Sequence, residues 1–401
     1  MTDNVNRLVT AGRALRSAAP HELPEALREV LCTRYAAETA EFLLADYGTN
    51  VLLPLAPASP GTGPEPVPVR GSVPGRAYGA QEPYVEELNG GRVRAHLPVT
   101  VRGDRMGVLS VTLPGRAVES AELAELAEVA RLLGHEVLVA ERDTDRYLRA
   151  RRTDRLTLAA EMQWQLLPAR SCSRPEYALG AQLEPAYAIH GDNFDWSASA
   201  DHLMVYVTNG MGEGIEASLL TSLGINALRN ARRAGIPIAD QAALADQAIH
   251  AHYRGEVHLS VLLVDIELST GRMQVVDAGS PRMLMLREKV LTAVDLEAQL
   301  PLGMFEETDY VAQEVTLLPG DRLLFVSDGV HAVPSPGGEI YGERALARAV
   351  HSAALLPAAE VPAAVLRELS QHRGRPEPDD DALVVCLDWF GRPPVPASGS
   401  H

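Results

Sequence analysis

Residues 320–330 read GDRLLFVSDGV, and this stretch decides how the second half of the chain folds. A short apolar run from Leu323 to Val326 is bounded by Gly-Asp on one side and by Ser-Asp-Gly on the other. Such a run between turn residues predicts a buried β-strand, here over 321–327. The glycine at 329 lets the backbone turn tightly, so the strand delivers the carboxylate of Asp328 at its end.

Three further stretches place short polar side chains at the ends of predicted strands. They are residues 190–195 (HGDNFD), 208–214 (TNGMGEG) and 379–382 (DDDA). Taken singly, each is an ordinary turn or solvated loop, since Asp-Gly and Asn-Gly are common turn pairs. Taken in order with Asp328, they favour a site for Mg²⁺ or Mn²⁺, because these cations prefer oxygen ligands. We therefore expect the four stretches to meet in the folded chain.

Strands and helices alternate irregularly from residue 157 onward. The predicted strands cover 177–189, 202–208, 257–267, 273–277, 283–286, 321–327 and 382–387. The predicted helices cover 156–167, 213–234, 240–253, 343–356 and 358–372. Runs of strands linked by turns, with helices grouped in pairs, predict an α+β fold in which an antiparallel β-sandwich is flanked by helices.

Residues 1–118 predict a separate, small α/β domain. Hydrophobic periodicity indicates a helix over 21–37 and strands over 40–44, 51–55, 94–101 and 106–113. Residues 102–105 (RGDR) are a hairpin turn between the last two strands, and the Pro- and Gly-rich residues 59–74 are a loop.

A helical linker is predicted over 119–168, ending at Pro168. Its apolar residues recur three and four positions apart, at Leu123, Leu126, Ala130, Leu133, Val137 and Ala140. This heptad spacing is typical of a signalling coiled coil that joins two protomers into a homodimer. It is equally typical of one amphipathic helix packed on its own domain. The Pro- and Ser-rich residues 390–401 are predicted to be a disordered tail.

Composition limits the number of domains, the kinds of partner and the cellular location that we expect. The 401 residues suffice for two domains and a connector, and 36 Lys+Arg against 53 Asp+Glu give a net charge of −17. Such a chain repels nucleic acid and anionic membranes, so neither is an expected partner. The three cysteines match no disulfide framework or zinc spacing. With neither a signal-peptide pattern nor a long apolar stretch, we expect a cytoplasmic protein.

The N-terminal region resembles a GAF domain, a module that senses small molecules. The resemblance is carried by Leu97-Pro98-Val99 followed by residues 107–111 (GVLSV), which match a hairpin of that family. It implies a GAF-like sensor over 1–118 with an unidentified small ligand. The alternative is an unrelated antiparallel hairpin in another α/β sensor fold.

The C-terminal region resembles the SpoIIE-type branch of the metal-dependent serine/threonine protein phosphatases, the PPM or protein phosphatase 2C superfamily. Its motifs occur in the family's order over about 230 residues, which implies a PPM-type phosphatase domain over 169–389. The matching residues are Gln163 to Pro168, Gly191-Asp192 with Asp195, Gly210-Met211-Gly212 with Gly214, Ala278-Gly279 with Pro281, residues 300–303 (LPLG), Gly320-Asp321, Asp328-Gly329-Val330, Tyr341-Gly342 and Asp380-Asp381-Ala382.

This resemblance also implies a mechanism and a partner. Two Mn²⁺ or Mg²⁺ ions would hold a water that attacks a phosphoserine or phosphothreonine phosphorus in line. The substrate would be a phosphorylated regulatory protein of the anti-sigma-factor antagonist type, and the sensor would control its hydrolysis. Asp195 would support the site. The implied metal-binding groups are the backbone carbonyl of Gly210 and the side chains of Asp192, Asn209, Asp328 and Asp380, and these side chains are also the implied catalytic residues.

Asn209 is the main departure from the family pattern, which has an aspartate there. An amide offers one neutral oxygen and no bridging anion. Because a charge pair about 4 Å apart is worth about 4 kcal/mol at an effective dielectric of 20, metal affinity should fall substantially. Three hypotheses remain: an enzyme with weakened metal binding, a pseudophosphatase that binds a phosphoprotein or a metal-free partner and acts by conformation, or deamidation of Asn209 to aspartate before Gly210.

Two lesser departures and one rival hypothesis complete the sequence-based picture. His190 and Ser280 replace the family's glycine and histidine, and we expect both to be ordinary strand-end residues. The glycines at 210, 212 and 214 between a strand and a helix suggest a nucleotide-phosphate loop. That rival needs a βαβ unit around the loop, and the predicted elements do not supply one.

Overall fold

The computed structural model describes residues 2–55, 65–115, 117–152, 157–186, 189–342, 344–374 and 378–392. The chain forms two compact units, Met1–Arg155 and Leu156–His401. Within the described residues, no helix is both long and apolar enough to cross a membrane. Most of the predicted tail and part of the predicted 59–74 loop lie outside the described residues.

The first unit is built on one antiparallel sheet with strand order β3-β2-β1-β6-β5-β4. Its strands are β1 (Thr39–Ala45), β2 (Val51–Pro54), β3 (Val67–Pro68), β4 (Tyr84–Leu88), β5 (Arg92–Val101) and β6 (Asp104–Pro114). Its helices are α1 (Thr2–Ser17), α2 (Leu23–Arg34), α3 (Val73–Ala80), α4 (Ser120–Ala140) and α5 (Arg146–Ala150). Helices α1 and α3 and the short strands β3 and β4 were not predicted from the sequence. The predicted 59–74 loop is wrong in part, because β3 and the first residues of α3 lie within it.

Helix α4 packs its heptad positions into the core of this first unit. Leu126, Leu133 and Val137 are fully buried there, in one cluster with residues of β5 and β6. Gly134 permits the close approach, because a Cβ at that position would lie 3.1 Å from the side chain of Val99. Helix α4 is therefore an amphipathic helix packed on its own domain, which was the second of the two alternatives. The predicted homodimer seam cannot use these positions, and the boundary between the units falls inside the predicted 119–168 linker.

A buried histidine lies on the other face of this sheet. The Nδ1 of His96 lies 2.8 Å from the Ser110 hydroxyl, and its Nε2 lies 3.1 Å from Oε1 of Glu86. Burial lowers the pKa of His96, and Arg94 acts in the same direction, while Glu86 and Glu41 raise it. The imidazole is therefore held neutral in the folded unit.

Acidification should destabilise the first unit through His96. Because the unfolded chain protonates near the ordinary pKa of 6.5 and the folded unit does so at a lower pH, stability is lost as pH falls below 6.5. We expect His96→Gln to flatten this dependence. Hydrogen exchange of the β5 and β6 amides between pH 7.5 and 5 measures it, and identical slopes in both proteins would contradict the assignment.

The second unit contains two antiparallel sheets. Their strand orders are β15-β12-β11-β10-β9 and β14-β13-β16-β17-β8-β7. The strands are β7 (Ser171–Arg174), β8 (Tyr177–Glu184), β9 (Asn193–Ala198), β10 (His202–Gly210), β11 (Leu259–Glu267), β12 (Arg272–Ala278), β13 (Arg282–Arg287), β14 (Val290–Ala293), β15 (Gln313–Thr316), β16 (Arg322–Val326) and β17 (Ala382–Trp389). The helices are α6 (Leu158–Leu166), α7 (Gly214–Arg233), α8 (Ile238–Tyr253), α9 (Asp328–His331), α10 (Ala345–Ser352) and α11 (Val361–Arg373).

The second unit has four layers, because each sheet and each helix pair buries its apolar face against a neighbouring layer. Residues of both sheets, such as Val205 and Phe325, meet in a central core. Helices α7 and α8 cover the outer face of the five-stranded sheet. Helices α10 and α11 cover the outer face of the six-stranded sheet. The predicted α+β class with a helix-flanked antiparallel sandwich is confirmed.

Each strand predicted from the sequence in this unit corresponds to an observed one, with shifted ends. The largest shift is at β8, which ends at Glu184 rather than at residue 189. Four short strands were missed: β7, β9, β14 and β15. Helix α9 was also missed, because its single turn follows directly from the strand that precedes it.

Candidate active site

Antiparallel pairing brings the predicted site residues to one end of the sandwich. In the five-stranded sheet, Thr208 pairs with Asn193, so the end of β10 lies beside the start of β9. In the six-stranded sheet, Val326 pairs with Val384, so the end of β16 lies beside the start of β17. One sheet therefore contributes Asp192 and Asn209, while the other contributes Asp328 and the acidic residues 379–381.

Asp381 ties the two sheets together at this end. Its carboxylate is fully buried and accepts hydrogen bonds from the backbone N–H groups of Ala186 (2.8 Å), His190 (3.0 Å), Gly191 (3.0 Å) and Asp192 (3.3 Å). An anion that accepts several N–H donors is strongly stabilised in a buried position. This residue therefore fixes the loop that carries Asp192, a role that the sequence did not indicate.

Gln163 connects helix α6 to the same cluster. Its Nε2 donates to the backbone carbonyl of Asp192 (2.7 Å) and to Oδ2 of Asp381 (2.8 Å). Gly329 allows the opposite side to approach, because a Cβ there would lie 1.9 Å from the carbonyl oxygen of Asp381. Both residues belong to the matched motifs, and the structure gives each a positional reason.

Asp192 is buried without a hydrogen-bond partner. Its side chain is 0% exposed, and neither carboxylate oxygen is satisfied within the described residues. Burial raises its pKa well above the ordinary value of 3.8, and the nearby charges of Asp381, Asp380 and Asp328 raise it further. The Ser327 hydroxyl acts against this rise in pKa but lies outside hydrogen-bonding geometry. A buried bare carboxylate of this kind fits a bound cation.

Asn209 faces Asp328 with its amide nitrogen. The Nδ2 of Asn209 donates to Oδ1 of Asp328, and the backbone N–H of Gly329 donates to the same oxygen at 3.0 Å. An aspartate at position 209 would repel this carboxylate, whereas the amide binds it. Asn209, the predicted neutral metal ligand, thus lies in the cluster, but its amide nitrogen is hydrogen-bonded to Asp328.

Asp380 lies at the more open side of the cluster. Its Oδ1 is 3.7 Å from Nδ1 of His190 and accepts a hydrogen bond from the N–H of Asp381 at 2.8 Å. Burial and the charge of Asp328 raise the pKa of Asp380 to about 6, while His190 lowers it. His190 therefore contacts the site, although it was expected to be an ordinary strand-end residue.

Asp195 lies on the opposite face of β9 from the central core. Its carboxylate pairs with Arg229 (2.8 Å) and Arg232 (2.9 Å) of helix α7. Arg229 also donates to the backbone carbonyl of Leu166 at the end of α6 (2.7 Å). Asp195 thus holds the two helices against the sheet, and its support of the site is indirect.

The glycine-rich turn after β10 has a packing role. The hydroxyl of Thr221 in α7 donates to the carbonyl of Gly191 (2.7 Å), and a Cβ on Gly210 would lie 2.8 Å from that hydroxyl. Strand β10 lies between antiparallel partners β9 and β11, so no βαβ unit surrounds the turn. This topology disfavours the nucleotide-binding alternative.

Ser280 and His331 form a second contact near the end of β16. The Nε2 of His331 lies 3.3 Å from the backbone carbonyl of Ser280, whose own hydroxyl is buried without a partner among the described residues. Burial lowers the pKa of His331, so its imidazole is neutral. The nearby charge of Asp328 acts against this lowering of the pKa of His331.

The cluster supplies donors for a cation but does not form a closed cage. Among the residues that the structure describes, no three His, Cys, Asp or Glu side chains already stand in metal-binding arrangement. The groups that could contribute are Asp192, Asp328, Asp380, the amide oxygen of Asn209 and the carbonyl of Gly210. The unsatisfied oxygens of Asp192 are the observation that fits a metal.

The family model for Stage II sporulation protein E (SpoIIE) matches residues 199–390. Residues 199–390 of the second unit therefore resemble a SpoIIE-type phosphatase domain, and this match covers just under half of the chain.

Individual relatives match about half of the chain. The phosphoserine phosphatase RsbU of Bacillus subtilis (strain 168) is 22% identical over 200 residues, which cover 50% of this chain and 60% of RsbU. The RsbU and RsbW domains of a Mycobacterium tuberculosis protein are 24% identical with a TM-score of 0.49, covering 55% of this chain and 62% of that one. The SiaA-PP2C domain of Pseudomonas aeruginosa is 20% identical with a TM-score of 0.46, covering 53% and 85%. The chain thus spans less than two thirds of the length of the first two.

Proposed function

We propose that this protein hydrolyses phosphoserine or phosphothreonine on a regulatory protein, using Mn²⁺ or Mg²⁺. The observation that carries the proposal is the buried, unsatisfied carboxylate of Asp192 at the sheet ends that also carry Asp328 and Asp380. The similarity to RsbU supports phosphoserine as the substrate group. By the same analogy, the substrate is a phosphorylated protein of the anti-sigma-factor antagonist type, in a cytoplasmic partner-switching pathway.

A bound divalent cation would supply an activated water and stabilise charge on the phosphoryl oxygens. Asp192, Asp328, Asp380, the Asn209 oxygen and the Gly210 carbonyl would hold it. Asp381 and Gln163 position the Asp192 loop through the hydrogen bonds described above. Without a cation, these carboxylates would repel a dianionic phosphate, so substrate binding also depends on the metal.

The decisive experiment compares phosphate release from a phosphoserine peptide by the wild type, Asn209→Asp and Asp192→Asn over a range of Mn²⁺ concentrations. We expect metal-dependent release by the wild type and none by Asp192→Asn. In Asn209→Asp, the added anion should lower the Mn²⁺ concentration needed by about tenfold or more, since each 1.4 kcal/mol is a factor of ten.

The alternative function is that of a pseudophosphatase that binds a phosphoprotein without turnover. The hydrogen bond from Asn209 to Asp328 favours it, because this contact satisfies a carboxylate that a metal would otherwise need. Absence of release in both the wild type and Asn209→Asp would overturn the phosphatase proposal and support the alternative. The deamidation hypothesis requires a mass increase at Asn209 in active preparations, which intact-mass measurement tests.

Control by the N-terminal unit is the second part of the proposal. The first unit would act as a GAF-like sensor with a small ligand, and α6 is the element that could transmit its state, because Gln163 links it to Asp192 and Asp381. A two-state coupling of this kind is limited by the ligand's differential affinity for the two states.

Truncation of the first unit tests this control. Removing residues 1–118 would expose the buried side of α4, so the deletion should end at Arg155, where the first unit ends. We expect residues 156–401 to have a basal rate different from that of the full chain. Equal rates in every ligand condition would contradict sensor control.

A further inference from the structure

Five large apolar side chains are exposed on one side of the candidate active site. Ile215 and Leu219 lie in the first turns of α7, Met211 lies in the turn before it, Leu158 begins α6, and Leu300 lies in the segment before β15. Each is between 43% and 63% exposed. These five residues form the apolar rim. Exposed apolar side chains that are grouped in this way mark a surface that binds a partner.

Hydrogen bonds place the helical part of the apolar rim at the end of the sandwich that carries the carboxylates. The N–H of Gly214, the first residue of α7, donates to the carbonyl of Ile189 at 2.6 Å, next to the loop that carries the bare carboxylate. The hydroxyl of Ser218 donates to the carbonyl of Ala159 at 3.2 Å. The start of α6 therefore lies against the first turns of α7, beside the candidate site.

Leu300 lies at the same end of the five-stranded sheet. Gly210 at the end of β10 pairs with Leu259 at the start of β11. On the other side of β11, Leu259 and Leu302 exchange N–H to carbonyl hydrogen bonds at 2.9 Å. The segment that carries Leu300 is therefore one strand away from the turn that carries Met211.

The apolar rim is bordered by two carboxylates. Glu213 and Glu216 are exposed neighbours of Met211 and Ile215 in the chain, and within the described residues their carboxylates form no hydrogen bond or ion pair. An unpaired acidic border attracts a basic partner and repels an acidic one. The charge of the surface therefore complements a segment that combines apolar with basic side chains.

We propose that the apolar rim binds the segment of the substrate protein around its phosphoserine, and that this segment carries apolar and basic side chains. The inference rests on the proposed function and names the substrate sequence that its site selects. A phosphoserine side chain is short, so a protein whose phosphate reaches Asp192 must place its neighbouring residues on the surface around the site. On the side of α7, that surface is the apolar rim.

Phosphoserine peptides test this selectivity, with the full-length chain in Mn²⁺. Three peptides differ only in the residues that flank phosphoserine: leucine and lysine, glutamine and lysine, or leucine and glutamate. We expect the first peptide to bind about tenfold more tightly than the second, because only its leucine buries apolar area on the rim. It should bind several-fold more tightly than the third, by a margin that shrinks in high salt. Equal affinities for all three peptides would overturn the inference.

Binding and turnover are measured separately, so that the inference and the proposed function fail in different ways. Peptide affinity is taken from the fluorescence anisotropy of labelled peptides, and turnover from phosphate release from the same peptides and from p-nitrophenyl phosphate. Selective binding without any phosphate release would refute the proposed activity and support the inference. Phosphate release without selectivity would support the activity and overturn the inference.

The double variant Ile215→Gln with Leu219→Gln identifies the surface that selects the peptide. Both side chains are exposed, so the substitutions should leave the fold intact, which thermal unfolding checks. We expect the leucine peptide to bind this variant about tenfold more weakly than it binds the wild type, and the preference for lysine over glutamate to remain. A leucine preference that survives in the double variant would contradict the inference.

Leu318→Gln is the matched control. Leu318 is similarly exposed but precedes β16, whose other end leads to Asp328, so it lies at the opposite end of the sandwich. The control should keep the full leucine preference of the wild type. A second copy of this chain is the other candidate occupant of the rim. Sedimentation that shows self-association of the wild type but not of the double variant, together with equal peptide affinities, would assign the rim to that contact instead.

Discussion

Asp381→Ala is expected to lower the free energy of unfolding of the second unit by about 4 kcal/mol, because it removes a buried anion that binds several donors. The backbone N–H groups of Ala186, His190 and Gly191 and the Gln163 amide would all lose their acceptor. Each buried donor left unsatisfied costs about 1–3 kcal/mol, and partial relaxation or water entry offsets some of the sum. With a typical total stability of about 5–15 kcal/mol, this is a large fraction.

The same substitution should abolish metal-dependent activity. The N–H of Asp192 donates to Asp381, and the Asp192 carbonyl accepts from Gln163, which itself bonds to Asp381. Without Asp381 the loop that carries the bare carboxylate has no fixed position relative to Asp328. Catalytic groups misplaced by about 1 Å can lose about a hundredfold in rate.

Denaturant unfolding followed by tryptophan fluorescence measures the stability change. The three tryptophans, Trp164, Trp196 and Trp389, all lie in the second unit, so the signal reports that unit alone. Asp201→Ala is the matched control, because Asp201 is exposed and should change stability by less than about 0.5 kcal/mol. A similarly small loss for Asp381→Ala would show that the N–H groups find other acceptors.

The sandwich could be predicted because its central strands are apolar on both faces. All residues of β16 are buried, between the opposite sheet on one side and α10 and α11 on the other. A continuous apolar run bounded by turn residues therefore marks the strand in sequence. The edge strand β15 reads QEVT and has no fully buried residue, so the sequence shows no comparable pattern.

Strand β9 was missed for a different reason. It reads NFDWSA, and its outward-facing Asp195 is buried only because Arg229 and Arg232 of α7 pair with it. In a sequence pattern, a carboxylate of this kind indicates a position exposed to solvent. The compensating arginines lie more than 30 residues away and become neighbours only in the folded unit.

One part of the candidate site could likewise be predicted from the sequence, and another part could not. Its carboxylates could be predicted, because each follows or precedes an apolar strand and is part of a family motif. Their different states could not be predicted, since the three aspartates of 379–381 look alike in sequence. In the structure Asp379 is exposed, Asp380 is partly buried and Asp381 is fully buried, and the His190 N–H that binds Asp381 is 191 residues away. The contact of His190 with Asp380 has the same long-range origin.

In contrast to Asp381→Ala, Asp192→Asn is expected to raise the free energy of unfolding of the second unit when no metal is present. Asp192 and Asp381 are both fully buried, but Asp192 has no hydrogen-bond donor in the described residues and its pKa is raised by burial and by neighbouring charges. An uncharged amide of the same shape avoids the cost of keeping this group buried, so a gain of about 1–3 kcal/mol is expected. Binding sites are commonly destabilised in this way in the absence of their ligand.

Mn²⁺ should reverse the order of stability of the wild type and Asp192→Asn. A ligand that binds only the folded state at a hundredfold excess over its Kd adds about 2.7 kcal/mol, and only the wild type can gain this. Thermal unfolding in chelator and in saturating Mn²⁺ should therefore give crossed results, with the variant more stable in chelator and the wild type more stable in Mn²⁺. Asp201→Asn should follow the wild type in both conditions. If Asp192→Asn is less stable than the wild type in chelator, the carboxylate has a stabilising partner within the protein, and a cation at Asp192 is not needed to explain its burial.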